Sequence, residues 1–222
     1  MRTICVVTAT RAEYGLLRPV VQKLAASSTL QLQLVATGAH LCPRLGETVR
    51  EIEADGVPIA ARLPIFVGDE NEPVAVTIAR TITVFDAYFS AHRPDAVLLL
   101  GDRFEIFAAA TAAAARHIPI AHISGGDVTL GAADEYYRHC ITKMAAVHFP
   151  SCADSAARLV RMGEAPETVF CVGGLGNENI HSAQNEPGRI VQLHRLPAAA
   201  ALCAGDLPPR DFCRCRLACR PE

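Results

Sequence analysis

The amino-acid sequence predicts an α/β fold in which a doubly wound parallel sheet is covered by helices on both faces. Over residues 1–175, short apolar runs alternate with segments of helical period. Apart from Gln31 and Gln33 in the second run, these runs are largely continuous, without the polar residue at every second position that marks a half-exposed strand. Continuous apolar strands are typical of parallel sheets buried on both faces, and the alternation of strands with helices favours the same architecture.

Seven strands are predicted, one for each short apolar run. In chain order they are Thr3–Thr8, Leu30–Ala36, Ile59–Leu63, Ala96–Leu100, Pro119–His122, Val147–Phe149 and Val169–Val172. Two of these runs lead into turns rich in Gly and Asp, Gly101-Asp102 and Gly125-Gly126-Asp127. Glycine permits a tight turn and a close approach of the backbone to a ligand.

One helix is predicted between each pair of consecutive strands, which supplies the right-handed crossover that parallel strands require. The fourth helix is rich in Ala. In chain order the helices are Tyr14–Ala26, Gly46–Ala54, Pro73–His92, Phe104–His117, Ala133–Ala145 and Ala153–Met162.

Length and composition limit the classes of function. The chain has 222 residues, 50% of them hydrophobic, enough for one large domain or one domain with an appendage. A formal net charge of -2 gives no reason to expect nucleic acid or an anionic membrane as a partner. The apolar runs are short for a membrane span, and the N-terminus lacks the features of a signal peptide, so a cytoplasmic protein is expected.

The placement of cysteine, glycine and lysine argues against several cofactors. Five of the nine cysteines are scattered singly, as in a reducing compartment, and four crowd the last 20 residues. The spacing Cys213-x-Cys215-x3-Cys219 fits no common zinc pattern, so a metal site there is the lesser alternative. The sequence lacks G-x-G-x-x-G and a P-loop lysine, which leaves ordinary NAD binding and Walker-type nucleotide hydrolysis unsupported.

Residues 181–222 depart from the alternating pattern. They contain five of the 14 prolines and four of the nine cysteines, with one short apolar stretch at Leu196–Cys203. We therefore expect a Rossmann-like domain over residues 1–180, followed by an atypical tail that is disordered or poorly packed.

Four polar loops follow predicted strands and are therefore expected to converge on the carboxyl edge of the sheet. Ligands of doubly wound proteins bind at this edge. The loops are Thr10–Gly15, Thr37–His40, Gly101–Glu105 and His122–Asp127.

The polar residues of these loops also have structural interpretations. Arg11 precedes a helix, where a guanidinium and free N–H groups suit a phosphate, but it is equally a surface arginine. Asp102 is either a catalytic group or the N-cap of the helix that starts near Phe104.

A further acidic cluster lies at the start of the fifth predicted helix. Asp134 and Arg138 are spaced i,i+4 and can pair, and Glu135 and His139 share an adjacent face. Two or three carboxylates near a phosphate-binding arginine suit proton transfer at a carbon beside a leaving nucleotide. One carboxylate then removes a proton as a base, and another supplies one as an acid.

Five motifs, in order, resemble the hydrolysing UDP-N-acetylglucosamine 2-epimerases, most closely the branch that feeds sialic-acid-type sugars. The resemblance implies conversion of UDP-GlcNAc to ManNAc and UDP, by elimination of UDP across C1–C2 and hydration of the resulting glycal. It also implies two Rossmann-like domains of the glycosyltransferase-B type. The motifs are T-x-T-R-A-E-Y-G-L-L, T-G-x-H-L, G-D-R-F-E, A-H-I-S-G-G-D-V-T-x-G-A-x-D-E-x-x-R-H-x-I-T-K and V-G-x-L-G-x-x-N-I.

Carried over motif by motif, the resemblance implies catalytic roles for Asp102, Asp127 and Asp134, with no cofactor and no metal. Asp127 stands where many members have Glu, and Ser124 replaces a Glu or His of several relatives. These departures fit another sugar, such as a UDP-2,4-diacetamido-trideoxyhexose. The substrate contacts implied by the resemblance are Arg11, Glu13, His40, Arg103, Glu105, His122, Arg138 and His139.

The resemblance ends near Ile180, whereas family members carry a second domain of similar size. The abrupt change in composition, in a chain with 19 Arg and two Lys among its 21 basic residues, predicts a truncated or frameshifted product with little turnover of its own. A glycosyltransferase of the same two-domain fold and a non-catalytic remnant remain alternatives. The resemblance also implies a homo-oligomer.

Overall fold

The computed structural model describes residues 1–67 and 72–176. Within them, six parallel strands form one sheet in the order β3-β2-β1-β4-β5-β6. The predicted α/β class and parallel sheet are thus confirmed. The strands are β1 (Arg2–Thr8), β2 (Leu30–Thr37), β3 (Ile59–Leu63), β4 (Ala96–Leu100), β5 (Ile120–Ile123) and β6 (Val147–Phe149).

Helices connect the strands at nearly the predicted positions. Short 3-10 turns occur at Gly38–Leu41, Pro43–Leu45 and Pro166–Thr168. The α-helices are α1 (Arg11–Ala25), α2 (Val49–Ala54), α3 (Val74–Ala91), α4 (Phe104–Ala115), α5 (Asp134–Met144) and α6 (Ala153–Arg161).

The helix α1 begins three residues earlier than predicted because Thr10 and Glu13 form a capping box. Thr10 Oγ1 accepts a hydrogen bond from the Glu13 backbone N–H at 3.4 Å, and the Glu13 carboxylate accepts one from the Thr10 N–H at 3.0 Å. These contacts satisfy two N–H groups that a helix start leaves without partners. The pattern T-x-x-E was visible in the sequence.

The strand order reverses direction between β1 and β4. From β1 the chain moves outward to β2 and β3, and then returns to pair β4 with the other side of β1. The loops that follow β1 and β4 therefore flank the crevice where this topology binds ligands.

Each central strand contributes to two hydrophobic cores, one on each face of the sheet. Val7 and Val97 pack with Phe85 on the face that α3, α4 and α5 cover. Val6 and Leu98 are the sequence neighbours of Val7 and Val97, and they pack on the other face with residues of α1 and α2. Because successive side chains of a strand point to opposite faces, burial on both sides requires the continuous apolar runs seen in the sequence.

The helix α3 is long and apolar enough, by length and composition, to cross a membrane, with a mean hydropathy of 1.2 over 18 residues. In this fold Phe85 and Phe89 of α3 are buried in the core against the sheet. A core helix meets the same length and composition criteria as a membrane span, so this similarity is weak evidence for a membrane segment.

The predicted strand Val169–Val172 is wrong. Val169 makes only an isolated bridge to His148, and Phe170 and Val172 are 51% and 55% exposed. The Phe170 N–H donates to His148 O at 2.9 Å, but the returning bond of a parallel ladder would need an N–H at residue 150. Residue 150 is proline, which has no N–H, so that bond is missing. The Val172 N–H still donates to Pro150 O at 3.2 Å, but no continuous strand forms.

Candidate active site

The four predicted loops meet at the carboxyl edge of the sheet. The His40 N–H donates to Ala9 O at 3.3 Å, which joins the loops after β2 and β1. The Gly101 N–H donates to Ile123 O at 3.1 Å and so joins the loop after β4 to the end of β5. The expected convergence therefore follows from direct backbone contacts at both sides of the edge.

An ion pair between Asp102 and Arg138 lies at the centre of this edge. Nη2 of Arg138 donates to Asp102 Oδ2, and the two side chains are 7% and 22% exposed respectively. The same guanidinium donates to Asp127 O and to Thr129 Oγ1, both at 2.8 Å. One buried arginine thus holds the turn after β4 and the loop after β5 in a fixed relation.

Asp102 does not cap the following helix. The N-cap of α4 is Arg103, and no side-chain hydrogen bond caps this helix start. The structural alternative for Asp102 is therefore wrong, and its carboxylate is committed to Arg138 through one oxygen.

Glu135, and not Asp134, is the carboxylate of α5 that contacts Arg138. Glu135 Oε2 accepts from Nη1 of Arg138 at 3.4 Å and from the Thr129 backbone N–H. Its Oε1 lies 3.2 Å from His139 Nε2, as the i,i+4 spacing predicted. The Thr129 N–H, then His139 and Arg138, lower the pKa of Glu135. The predicted pair of Asp134 with Arg138 is replaced by the i,i+3 pair with Glu135 because Arg138 turns towards the loop.

The carboxylate of Asp127 is held by two serines that the sequence analysis did not identify. Asp127 Oδ1 accepts from Ser151 Oγ at 2.7 Å and from Ser155 Oγ at 2.6 Å. Ser151 precedes Cys152, the N-cap of α6, and Ser155 lies in the first turn of that helix. Gly126 permits this contact, since a Cβ there would lie 2.5 Å from Ser155 O. Asp127 therefore attaches the loop after β5 to α6.

His122 is a buried, neutral connector below the Asp102 turn. Its Nε2 lies 2.8 Å from Gly101 O and its Nδ1 3.2 Å from Thr142 Oγ1. Because a carbonyl only accepts, Nε2 carries the proton and Nδ1 accepts from the threonine hydroxyl. Burial lowers the pKa of His122 to about 4, which keeps the ring neutral at physiological pH.

Glu13, Arg103 and Glu105 form a second charged cluster at the β1–β4 crevice. Arg103 donates to the fully buried Glu105 carboxylate at 3.1 and 2.9 Å. Glu13 Oε2 accepts from the Ala9 and Thr10 N–H groups, whereas its buried Oε1 has no hydrogen-bond partner. Burial raises the pKa of Glu13 to about 7 despite those two donors, and the charge of Glu105 adds to the rise.

Two further predicted contacts lie apart from the acidic centre. His40 is fully buried between Thr8 Oγ1 at 3.0 Å and Thr48 Oγ1 at 2.8 Å, and burial lowers its pKa to about 4. Arg11 has a side chain that is 72% exposed and pairs with Glu51 of α2 at 2.6 Å. Its interpretation as a phosphate contact stays a prediction.

Asp134 is the remaining carboxylate predicted to be catalytic. Asp134 is half-buried at the first position of α5, and its charge acts on Arg103. Across residues 1–67 and 72–176, no group of three or more His, Cys, Asp or Glu is arranged to hold a metal. The cysteine cluster of residues 203–219 lies outside the described residues.

The site arrangement is suited to proton transfer. Arg138 orients Oδ2 of Asp102, and among the residues that the structure describes none donates a hydrogen bond to Oδ1. Asp134 lies on the neighbouring element, and Arg103 is 42% exposed in the crevice, where it can meet an anion. A fixed carboxylate beside a guanidinium is the arrangement that an acid or base next to a charged leaving group requires.

Comparisons with known proteins identify the family of the chain. The profile of the family described as UDP-N-acetylglucosamine 2-epimerase matches residues 22–200. The chain is 41% identical over 181 residues to a UDP-N,N'-diacetylbacillosamine 2-epimerase (hydrolyzing) of Legionella pneumophila, covering 81% of this chain and 48% of that protein. It is 38% identical over 177 residues to a GDP/UDP-N,N'-diacetylbacillosamine 2-epimerase (hydrolyzing) of Campylobacter jejuni, covering 79% of this chain and 46% of that protein.

Solved structures show the same fold. A UDP-N-acetylglucosamine 2-epimerase of Rickettsia bellii superimposes with a TM-score of 0.72 at 23% identity, over 84% of this chain and 48% of that one. A UDP-GlcNAc 2-epimerase of Neisseria meningitidis bound to UDP-GlcNAc gives a TM-score of 0.69 at 23% identity, over 78% and 46% of the two chains. The chain spans about half the length of the relatives it matches. With a family match over most of its residues, the chain belongs to the UDP-N-acetylglucosamine 2-epimerase family.

Proposed function

We propose that this chain supplies the acid–base half of a hydrolysing 2-epimerase that acts on a UDP-linked 2-acetamido sugar. The observation that carries the proposal is the buried Arg138, which fixes Asp102 at the carboxyl edge of β4 in a chain of this family. For UDP-GlcNAc the products are ManNAc and UDP.

The reaction divides into two steps in which atoms and charges balance. A carboxylate removes the proton from C2, the C2–H electrons form the C1=C2 bond, and the C1–O bond breaks with its electron pair leaving on UDP. A carboxylic acid then gives a proton to C2 from the opposite face of the ring while the oxygen of water bonds to C1, and the carboxylate so formed takes up the proton that this water loses. One water is consumed, and the configuration at C2 is inverted.

Asp102 and Asp134 are the proposed acid and base. Arg138 holds one oxygen of Asp102 and leaves the other for the C2 proton. Asp134, at the start of α5, acts electrostatically on the partly exposed Arg103, for which we propose a contact with the anionic leaving group. Asp127, predicted as a third catalytic acid, is better suited to positioning, since both serines hold its Oδ1.

A substitution at Asp102 tests this assignment. We expect Asp102→Asn to reduce UDP release and deuterium uptake at C2 in D₂O by about 100-fold or more, the scale of general acid–base catalysis. Asp95→Asn is the matched control, because Asp95 precedes β4 at the opposite edge of the sheet and caps the Thr3 N–H at 2.7 Å. Equal rates for the two variants would contradict the role of Asp102.

We expect turnover by this chain alone to be well below that of a full-length relative, because the chain spans about half of such proteins. A comparable rate of UDP release would overturn that expectation.

Product analysis separates the alternatives: free ManNAc and UDP support the epimerase, and a sugar attached to an acceptor supports a glycosyltransferase. If calorimetry with millimolar UDP detects no heat of binding, only a non-catalytic role remains for this chain.

A second substrate is favoured by the relatives. The two most similar proteins described above are both named for UDP-N,N'-diacetylbacillosamine, a 2,4-diacetamido-trideoxyhexose. A role in sialic-acid-type sugar synthesis, a cytoplasmic location and a homo-oligomeric state stay predictions.

A further inference from the structure

The N-terminus of α1 is occupied by a carboxylate of the chain itself. Glu13 Oε2 accepts from the Ala9 N–H at 2.9 Å and from the Thr10 N–H at 3.0 Å. These two N–H groups lie where the end of β1 meets the start of α1, which is the place where this topology binds phosphates. An anion that enters the crevice therefore finds these donors already used and a buried carboxylate beside them.

The other oxygen of Glu13 is an acceptor without a donor. Its Oε1 is buried and has no hydrogen-bond partner among the described residues, whereas most buried polar atoms of folded proteins have one. Both N–H donors bind Oε2, so a proton can occupy Oε1 without breaking either hydrogen bond. The geometry thus accommodates the neutral form of Glu13 as well as the charged form.

Arg103 is the cation whose charge acts on Glu13, and part of its guanidinium is already committed. Its Nε and Nη2 donate to the fully buried Glu105 at 3.1 and 2.9 Å, and the guanidinium lies 5.9 Å from the centre of the Phe104 ring. No residue that the structure describes accepts from Nη1. With 42% of its side chain exposed, Arg103 can offer this nitrogen to an anion while Glu105 keeps the other two.

The crevice holds more negative than positive charge before any ligand arrives. Glu13 and Glu105 share one guanidinium, and the charge of Asp134 also acts on Arg103. The diphosphate of a UDP-sugar adds two negative charges, and like charges in a buried site favour protonation of one of them. Glu105 uses both oxygens on the guanidinium, whereas Glu13 has an oxygen free to take a proton.

The other titratable side chains near the start of α1 are paired elsewhere or neutral. Burial raises the pKa of Glu13 to about 7 and lowers the pKa of His40, after β2, to about 4, so only Glu13 of these two gains a proton near neutral pH. The remaining contacts are those of Tyr14 and Arg18 with Asp55, and of Arg11 with Glu51.

We propose that the diphosphate of a UDP-sugar binds beside Arg103 with uptake of one proton from solvent by Oε1 of Glu13. The inference rests on the proposed function, since that function supplies the anion and its contact with Arg103. The crevice thereby accepts a doubly negative substrate by neutralising one of its own carboxylates, and the proton returns to solvent when the nucleotide leaves. The acid–base steps at C2 do not use this proton.

Calorimetric titration of the full chain with UDP-GlcNAc tests the coupling. Both phosphates of this ligand are disubstituted, so it lacks the ionisation with a pKa of about 6 that a terminal phosphate has. The heat of binding should differ between Pipes and Tris, because the buffer supplies the proton. With a Glu13 pKa of about 7, the protonated fraction falls from about a half at pH 7 to about a tenth at pH 8, so we expect Kd to rise about fivefold.

Glu13→Gln is permanently neutral and keeps an oxygen for the two backbone N–H groups. In this variant Kd should be the same at both pH values, and the heat should be the same in both buffers. Glu53→Gln is the matched control, because Glu53 pairs with Arg62 where both side chains are 48% exposed, and it should keep the wild-type dependence on pH. Circular dichroism checks that both variants are folded, and the wild-type buffer difference tests the coupling without either variant.

The outcomes separate the coupling from the epimerase function. A Kd that is independent of pH in the wild type, or a pH dependence that persists in Glu13→Gln, would overturn the coupling and leave the proposed function intact. Failure of UDP-GlcNAc to bind at either pH would reject the proposed function together with the coupling.

Discussion

At the scale of single residues, Arg138 determines the geometry of the candidate site. It contacts the turn after β4, the loop after β5 and the first turn of α5 through one guanidinium that is 7% exposed. An arginine can do this because its planar fork presents several donors in fixed directions, which a lysine ammonium does not.

Loss of Arg138 is therefore expected to destabilise the fold. Arg138→Met leaves Asp102 and Glu135 partly buried without their cation, and we expect the free energy of unfolding in urea to fall by about 2 kcal/mol or more. Arg116→Met is the control, because Arg116 pairs with Asp86 in a more exposed position, with side chains 33% and 45% exposed, and its loss should cost less than about 1 kcal/mol. Similar losses of unfolding free energy in both variants would show that the burial of Arg138 adds nothing to stability.

Glu13 gives a second prediction at this scale, in the dependence of stability on pH. Its pKa rises from 4.5 to about 7 in the folded protein, so the folded state binds the proton more tightly than the unfolded state. Glu13 therefore adds stability at and below pH 4.5, and that contribution is lost as the pH rises to 7.

Glu13→Gln isolates this effect. Glutamine keeps an oxygen for the Ala9 and Thr10 N–H groups and has no charge, so the variant should gain stability relative to wild type as the pH rises from 4.5 to 7.5. Urea unfolding at both pH values measures the difference, which we expect to approach roughly 3 kcal/mol. A difference independent of pH would show that Glu13 titrates normally.

At the scale of elements, the contact between the loop after β5 and α6 depends on Gly126. Gly126 has φ of +80, and a Cβ at this position would lie 2.5 Å from Ser155 O and 3.0 Å from Leu159 Cγ. The close approach brings Asp127 onto the serines of α6. Two consecutive glycines predicted a tight turn, but the helix that they face was not predictable from local sequence.

We expect Gly126→Ala to lower the free energy of unfolding by at least about 3 kcal/mol, because positive φ and overpacking against backbone both contribute. Gly131→Ala is a matched control with φ of +81 and nothing within 4 Å of the added Cβ, so it should cost only about 1–2 kcal/mol. Denaturant titration of the two variants separates steric packing from backbone strain. Equal losses would mean that α6 moves aside without cost.

At the scale of the whole molecule, buried histidines make the fold sensitive to acid. Burial lowers the pKa of His40 and His122 from 6.5 to about 4, so the unfolded state binds protons more readily than the folded one. Their neutral forms contribute stability that is complete above pH 6.5 and is lost as the pH falls towards 4.

We expect the urea midpoint of the wild type to decrease between pH 7.5 and 5, with a steeper decrease in Glu13→Gln. The reason is that protonation of Glu13 stabilises the folded state and offsets the cost of protonating one buried histidine. Each of these pKa shifts corresponds to roughly 3 kcal/mol of stability. A midpoint that stays constant in both proteins over this range would contradict the neutral, buried state of the two rings.

The sequence by itself determined the fold class and which loops meet at the candidate site. Continuous apolar runs required burial on both faces, and parallel strands brought the loops of Arg11, His40, Asp102 and Asp127 to one edge. These inferences succeeded because periodicity and connection order are local properties of the chain. The failure at Val169–Val172 has a tertiary reason, since Pro150 of the neighbouring segment cannot return the ladder bond.

Only the tertiary structure decided which side chains meet. The i,i+4 spacing predicted Asp134 with Arg138, yet Arg138 reaches Asp102, 36 residues away, together with Glu135. Likewise Asp127 is bound by Ser151 and Ser155 from an element beyond β6. Partner choice depends on burial and on the spatial order of strands, which set the local dielectric and distances that spacing along the chain does not encode.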